Sequence, residues 1–188
     1  EYDVRRQQIK RSLEVGNHPN ELVLSKDGAT MYVANSTDNS VSVVDVKGWK
    51  VIEVLNAALY PDAPEGSATN GVALSADEKT LYVADTGVPK NMRTSGVDGL
   101  KLPDHAVFAT CTAGVFDGFR VDQRGNIWTS AADGVHCYDP DGTLIGKIRI
   151  PELVSNVAFG GPKRNRLFIT GRKSLYAVFV VANGATPG

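Results

Sequence analysis

Two cysteines in 188 residues, Cys111 and Cys137, are too few and too far apart for a paired thiolate metal motif, and they leave the redox compartment open. A disulfide between them is the minority expectation. No basic run interrupts the near balance of 20 basic and 21 acidic side chains, so the charge pattern gives no footprint for nucleic acid or an anionic membrane. No apolar window approaches the roughly 18 residues that a membrane-spanning helix needs. The opening stretch, "EYDVRRQQIKRSLEVG", lacks the apolar centre of a secretion signal. A soluble chain is expected, either cytoplasmic or secreted or periplasmic with any signal already removed. The three histidines, His18, His105 and His136, share no metal-ligand spacing, and no serine or cysteine nucleophile motif accompanies them. Sustained helical periodicity with caps is also missing.

What is present is a repeat. Four segments align: "PNELVLSKDGATMYVAN" from Pro19, "TNGVALSADEKTLYVAD" from Thr69, "FDGFRVDQRGNIWTSAA" from Phe116 and "VSNVAFGGPKRNRLFIT" from Val154. Each reads as a polar key residue, a strand, a tight turn and a second strand, with apolar and polar residues alternating at period two. The keys are Asn20, Asn70, Asp117 and Asn156, spaced 50, 47 and 39 residues apart. That period fits one blade of a β-propeller. Further strands follow in "NSVSVVDV", "GVHCYDPDG" and "SLYAVFVV". The expectation is an all-β fold of four-stranded antiparallel blades. Residues 1–183 would form a single propeller domain or partial propeller, and 184–188 a loose tail.

Asn and Asp at the start of a strand commonly bond their own backbone and shape a turn, which requires no ligand. In a propeller, however, the innermost strand of every blade starts at the same end of the central channel, so equivalent keys converge. Amide and carboxylate oxygens without histidine or thiolate suit calcium, with magnesium, manganese or zinc as alternatives. The single carboxylate among the keys, Asp117, can also serve as a base beside the ion.

The pieces "NGVALSADEKTLYVADTG" and "DGFRVDQRGNIW", in this order, resemble the regucalcin (senescence marker protein 30) and gluconolactonase family of six-bladed calcium-dependent propellers. The resemblance covers roughly Asn70 to Val180. It implies that Asn70 and Asp117 are metal ligands and that Asp117 is the general base. A further family asparagine lies about one blade earlier, at the place held by Asn20 in "HPNELVLSKDG". The resemblance implies calcium-dependent hydrolysis of a lactone or similarly activated ester, sugar lactones first. The surrounding "YVANSTDNSVSVVDV" is equally similar to YVTN propeller repeats, so the alternative is a non-catalytic or incomplete propeller that binds a protein or carbohydrate.

Departures from the family pattern set further expectations. Four repeat units are visible where six are expected, so a fragment, a trimmed or shortened homologue, and a complete chain with a degenerate blade all stay open. Unpaired blade edges would favour self-association. The stretch "VPKNMRTSGV" stands where a regular strand is expected. The family's first-blade glutamate ligand has no counterpart here. Glu14 and Glu21 are acidic candidates near the first key, but on a regular strand Glu21 should point away from Asn20. "NST" at Asn35 is a glycosylation acceptor only in a secreted chain. "YDPDGT" reads as a hairpin turn, and His18 as a turn or surface residue. Trp49, Trp128, Phe116 and Phe119 read as packing residues, with Phe116 a candidate pocket wall beside Asp117.

Overall fold

The computed structural model describes residues 1–56, 68–98 and 106–185, and every regular element among them is a strand. A short hairpin of β1 (Tyr2–Asp3) and β2 (Gln8–Ile9) precedes four antiparallel sheets. The first contains β3 (Pro19–Leu24), β4 (Thr30–Asn35), β5 (Ser40–Asp45) and β6 (Lys50–Asn56), in chain order. The second contains β7 (Thr69–Leu74), β8 (Thr80–Asp85), β9 (Asn91–Gly96) and β10 (Ala106–Thr110). The third contains β11 (Phe119–Val121), β12 (Ile127–Ala131), β13 (Gly134–Tyr138) and β14 (Leu144–Arg149). The fourth contains β15 (Val154–Gly160), β16 (Arg166–Gly171) and β17 (Leu175–Phe179), one strand fewer than expected. β7 packs against β3 and β11, and β15 packs against β11, so each sheet is a propeller blade with its first strand innermost. Among the described residues no helix is long and apolar enough to cross a membrane.

The repeat is visible at atomic detail in the first two turns. Ser25 Oγ donates to Asp27 Oδ1 at 2.6 Å and accepts from the Thr30 amide at 2.9 Å. Ser75, Asp77 and Thr80 reproduce these contacts at 2.6 and 3.0 Å. The left-handed residue of the turn is Gly28 in the first copy (φ 68°) and Glu78 in the second (φ 60°). The longer residue has a use, because Glu78 Oε1 accepts from the Lys26 amide and ties the two turns together.

Alternation along the middle strands divides the apolar residues between two neighbours. On β8, Leu81 and Val83 pack with Tyr32, Val41 and Val43 of the first blade, whereas Tyr82 and Ala84 pack with Phe116, Phe119 and Tyr138 of the third. A third core joins Val135 to Val154, Val157, Leu167 and Ile169. Phe116 is fully buried in the second of these cores and sets ring edges against Tyr138 at 5.7 Å. Trp128 meets Phe159 edge-on at 5.9 Å, and Trp49 lies under the Arg11 guanidinium at 4.1 Å.

The structure decides several local expectations. "VPKNMRTSGV" is no degenerate segment, since β9 is a regular third strand whose weak apolar content is offset by polar contacts. Arg93 lies 3.5 Å from Asp85 with both side chains buried, and Asp85 Oδ1 also accepts from the amides of Ala68 and Gly87 at 2.9 Å each. Asn35 is no exposed acceptor for a glycan; it is buried at the end of β4 and donates to Ser40 and Ser42. Cys111 and Cys137 are both free and buried. Gly184 and Ala185 are held by the third blade, since Gly184 bridges Asp122 and the Ala185 amide donates to the Val121 carbonyl at 3.0 Å; the rest of the 184–188 segment lies outside the described residues. "YDPDGT" is a hairpin turn closed by the Asp139 amide on the Thr143 carbonyl at 2.9 Å. His105 lies outside the described residues.

The Asp85 carboxylate therefore holds both a buried cation and the backbone that leads into β7. Asp85→Ala is expected to lower stability by about 3–5 kcal/mol, read from the urea midpoint, because it leaves the Arg93 charge buried without its carboxylate. Adding Arg93→Met should recover part of that loss.

Candidate active site at the mouth of the central cavity

Irregular starts of the inner strands deliver the key residues. In the first blade the register steps from Pro19 opposite Asn35 to Glu21 opposite Ala34, so Asn20 is the extra residue of a bulge. The second blade steps from Thr69 opposite Asp85 to Val72 opposite Val83, and the fourth from Val154 opposite Gly171 to Asn156 opposite Thr170. A bulge breaks strict alternation and re-aims the side chains beside it. In the third blade the key precedes β11 and is fixed by other means. The Asp117 amide donates to Ser130 Oγ at 3.1 Å, and the Gly118 amide donates to the Ser155 carbonyl of the fourth blade at 2.9 Å.

The four keys and Glu21 meet in one cluster. Asn20 Nδ2 donates to Asn70 Oδ1 at 3.2 Å, and the Asn70 side chain in turn donates to the Asp117 carboxylate. Glu21 lies beside them. Its Oε2 accepts from Asn156 Nδ2 at 3.4 Å, and its two oxygens face the two terminal nitrogens of Arg120 at 3.4 Å each. Arg120 is anchored on its own strand by donating to the Phe119 carbonyl at 2.6 Å. Below the cluster runs a cavity of about 400 Å³, lined by inner-strand residues of all four blades such as Val23, Val72, Val121 and Phe159, and by Arg120.

Glu21 corrects an expectation. Alternation alone points it away from Asn20, but the bulge lets consecutive residues serve the same cluster. Glu14 does not join; it lines a groove over the first blade with Asp38, Ser42 and Val54. Phe116 belongs to the core rather than the pocket, and His18 is an exposed left-handed turn residue (φ 55°). Arg120 was absent from the sequence-derived candidates. Its signal was present all the same, as a charged residue between buried Phe119 and Val121 on an inner strand.

Electrostatics set the chemistry of Asp117. Burial pushes its pKa above the ordinary 3.8, the Glu21 charge adds to the rise, and the hydrogen bond from Asn70 opposes it. Without a cation beside it, the carboxylate therefore holds its proton more tightly than a solvated one. The oxygens of Asn20, Asn70, Asp117 and Glu21 form a donor set of amides and carboxylates that fits a hard divalent cation, and two neighbouring carboxylates gain from one. Among the described residues no group of three or more His, Cys, Asp and Glu side chains that could hold a metal ion converges; the cluster offers two carboxylates with amides beside them.

Radial blades with key residues converging at one end of the cavity define a β-propeller with an oxygen-rich site at the mouth. The sequence profile of the SMP-30/Gluconolactonase/LRE-like region matches residues 63–173, and the chain belongs to that family. It is 29% identical to a gluconolactonase of Zymomonas mobilis subsp. mobilis over 183 residues, which cover 86% of this chain and 50% of that protein. It is 33% identical over 107 residues to pentonolactonase XacC of Haloferax volcanii, covering 54% of this chain and 37% of that one. A solved gluconolactonase from Xanthomonas campestris superimposes with a TM-score of 0.76 at 27% identity, over 94% of this chain and 63% of that one. The chain thus spans about half the length, or less, of these two curated relatives.

The raised pKa of Asp117 has a consequence for stability with a definite sign. The folded protein holds the Asp117 proton more tightly than the unfolded chain does. This group's stabilising contribution is therefore complete below its ordinary 3.8 and is lost as the pH rises through the raised folded value. In the presence of chelator, Asp117→Asn is expected to raise the melting temperature at pH 7, and the gain should fade as the pH approaches about 4. Equal melting temperatures at pH 7 would contradict the burial and charge argument.

Proposed function

We propose that the chain carries the site of a divalent-cation-dependent lactonase that hydrolyses sugar lactones. The observation that carries this reading is the chain of hydrogen bonds from Asn20 through Asn70 to Asp117, which orients the one carboxylate among the four keys in a member of this family. The named activities of the relatives, on gluconolactone and pentonolactone, support the substrate class.

Asn20, Asn70 and Asp117 would hold the cation, with calcium favoured because every donor is a neutral or anionic oxygen. Bound there, the cation would polarise the lactone carbonyl and stabilise the charge that develops on its oxygen. Asp117 takes a proton from the attacking water, whose oxygen forms the new bond to the carbonyl carbon. When the ring carbon–oxygen bond breaks, the same proton passes to the departing alkoxide, so lactone and water become one hydroxy acid. Asn70 keeps the Asp117 carboxylate oriented, and Asn20 fixes the Asn70 amide. Rigid strands position these groups, while the loops beyond them are left to select the substrate.

Hydrolysis of gluconolactone and of a pentonolactone by the purified chain, followed by acid release, tests the reading. Activity should disappear with chelator and return with calcium. Asp117→Asn should keep the fold and reduce turnover by about a hundredfold or more, the usual cost of losing a general base. Asn156→Ala should be milder, because Asn156 reaches Glu21 rather than Asp117. Activity that survives Asp117→Asn unchanged would refute the site assignment.

A further inference from the structure

Glu21 belongs to no ligand position that the resemblance carries over, yet from the first blade it touches both Arg120 of the third and Asn156 of the fourth. Resting on the reading that this cluster takes a divalent cation, we propose that Glu21 is an additional ligand for it, and that Arg120 is a tethered positive charge that holds Glu21 until the cation arrives.

Three observations carry this. The bulge at Asn20 places Glu21 among the keys, directly after Asn20 in the chain and in contact with Asn156. Its side chain is only 17% exposed, so it cannot be regarded as a solvated surface carboxylate. Its partners also hold it loosely. All three contacts, two to Arg120 and one to Asn156, are 3.4 Å long, against about 2.7–2.9 Å for a tight charge-assisted hydrogen bond. The guanidinium does not depend on Glu21 for its place, since it is bonded to the Phe119 carbonyl at 2.6 Å and is 36% exposed. Releasing Glu21 therefore leaves Arg120 with a backbone partner and water.

The charges are consistent with an exchange. Two carboxylates share the cluster with one guanidinium, so one negative charge stays unmatched. A divalent cation shared by Asp117 and Glu21 matches both, and Arg120 is then free to move toward solvent. Arg120 thus acts through Glu21 as a positioning residue that sets how strongly the site competes for cations. A purely structural ion pair across the cavity would affect stability but leave cation affinity unchanged.

Calorimetric titration of calcium into the chelator-treated chain separates these cases, with circular dichroism to confirm folding of each variant. Glu21→Gln should weaken binding by about tenfold or more, the size of effect expected when a supporting group of a metal site is lost. Arg120→Met should tighten binding in the wild-type background and do so much less when combined with Glu21→Gln. Wild-type affinity in Glu21→Gln, with binding abolished in Asp117→Asn, would overturn this inference and leave the cation reading intact. Weaker binding in Arg120→Met would overturn the exchange. No calcium binding by the wild-type chain would remove both the cation reading and the inference built on it.

Discussion

The candidate site depends on how closely adjacent inner strands can approach where they begin. Asn70 and Asp117 are each followed by glycine, and in both cases the next blade occupies the space that a side chain would need. A Cβ at Gly71 would collide with the Asp117 carbonyl oxygen and lie 2.9 Å from the Phe119 ring. A Cβ at Gly118 would collide with the Asn156 side chain. The close approach brings the amide of Asn70 to the carboxylate of Asp117, and the hydrogen bond from Gly118 to Ser155 fixes the distance to the fourth blade. With bulkier residues at these positions the blades would have to spread at the mouth. The side chains of the cluster could then no longer reach one another.

Packing below and polarity above are two parts of one arrangement. The three inter-blade cores are built from buried Val, Leu, Ile and aromatic residues and fix the angle between sheets. Rigidity obtained there allows an unfavourable feature at the mouth, where two carboxylates lie close together and one is partly desolvated. The buried pair of Arg93 and Asp85 shows the contrasting solution. There each charge has its partner, the carboxylate also satisfies two backbone amides, and the result supports the loop that leads to Asn70. The mouth cluster is matched less completely, which is the usual condition of a site that binds or reacts.

Much of the fold was legible because each repeat unit carries the same physical signals. The serine and aspartate of "SKDG" and "SADE" build the same turn, and the alternation that follows assigns each apolar residue to one neighbouring blade. The keys Asn20, Asn70, Asp117 and Asn156 could be found by aligning units, and the structure gathers all four. Glu21 and the third strand of the second blade were harder to read for related reasons. A bulge shifts the alternation by one residue and is invisible in a periodicity. β9 hides its burial in a charge, since Arg93 has the composition of a surface and acquires its partner only through the fold.

The residue after each key decides what each unit contributes beyond the shared plan. That position holds Glu21, Gly71, Gly118 and Val157 in the four units. In the second and third units it is empty space that lets the next blade approach, and in the fourth it is a buried valine that joins the core toward the third. In the first it is a carboxylate that reaches Arg120 and Asn156 across the cavity. Four copies of one strand-and-turn unit thus give four equivalent positions with three different physical uses. Because the cluster draws side chains from all four blades, its geometry reports on every inter-blade contact at once. A disturbance in any core would therefore be felt at the mouth before the sheets themselves came apart.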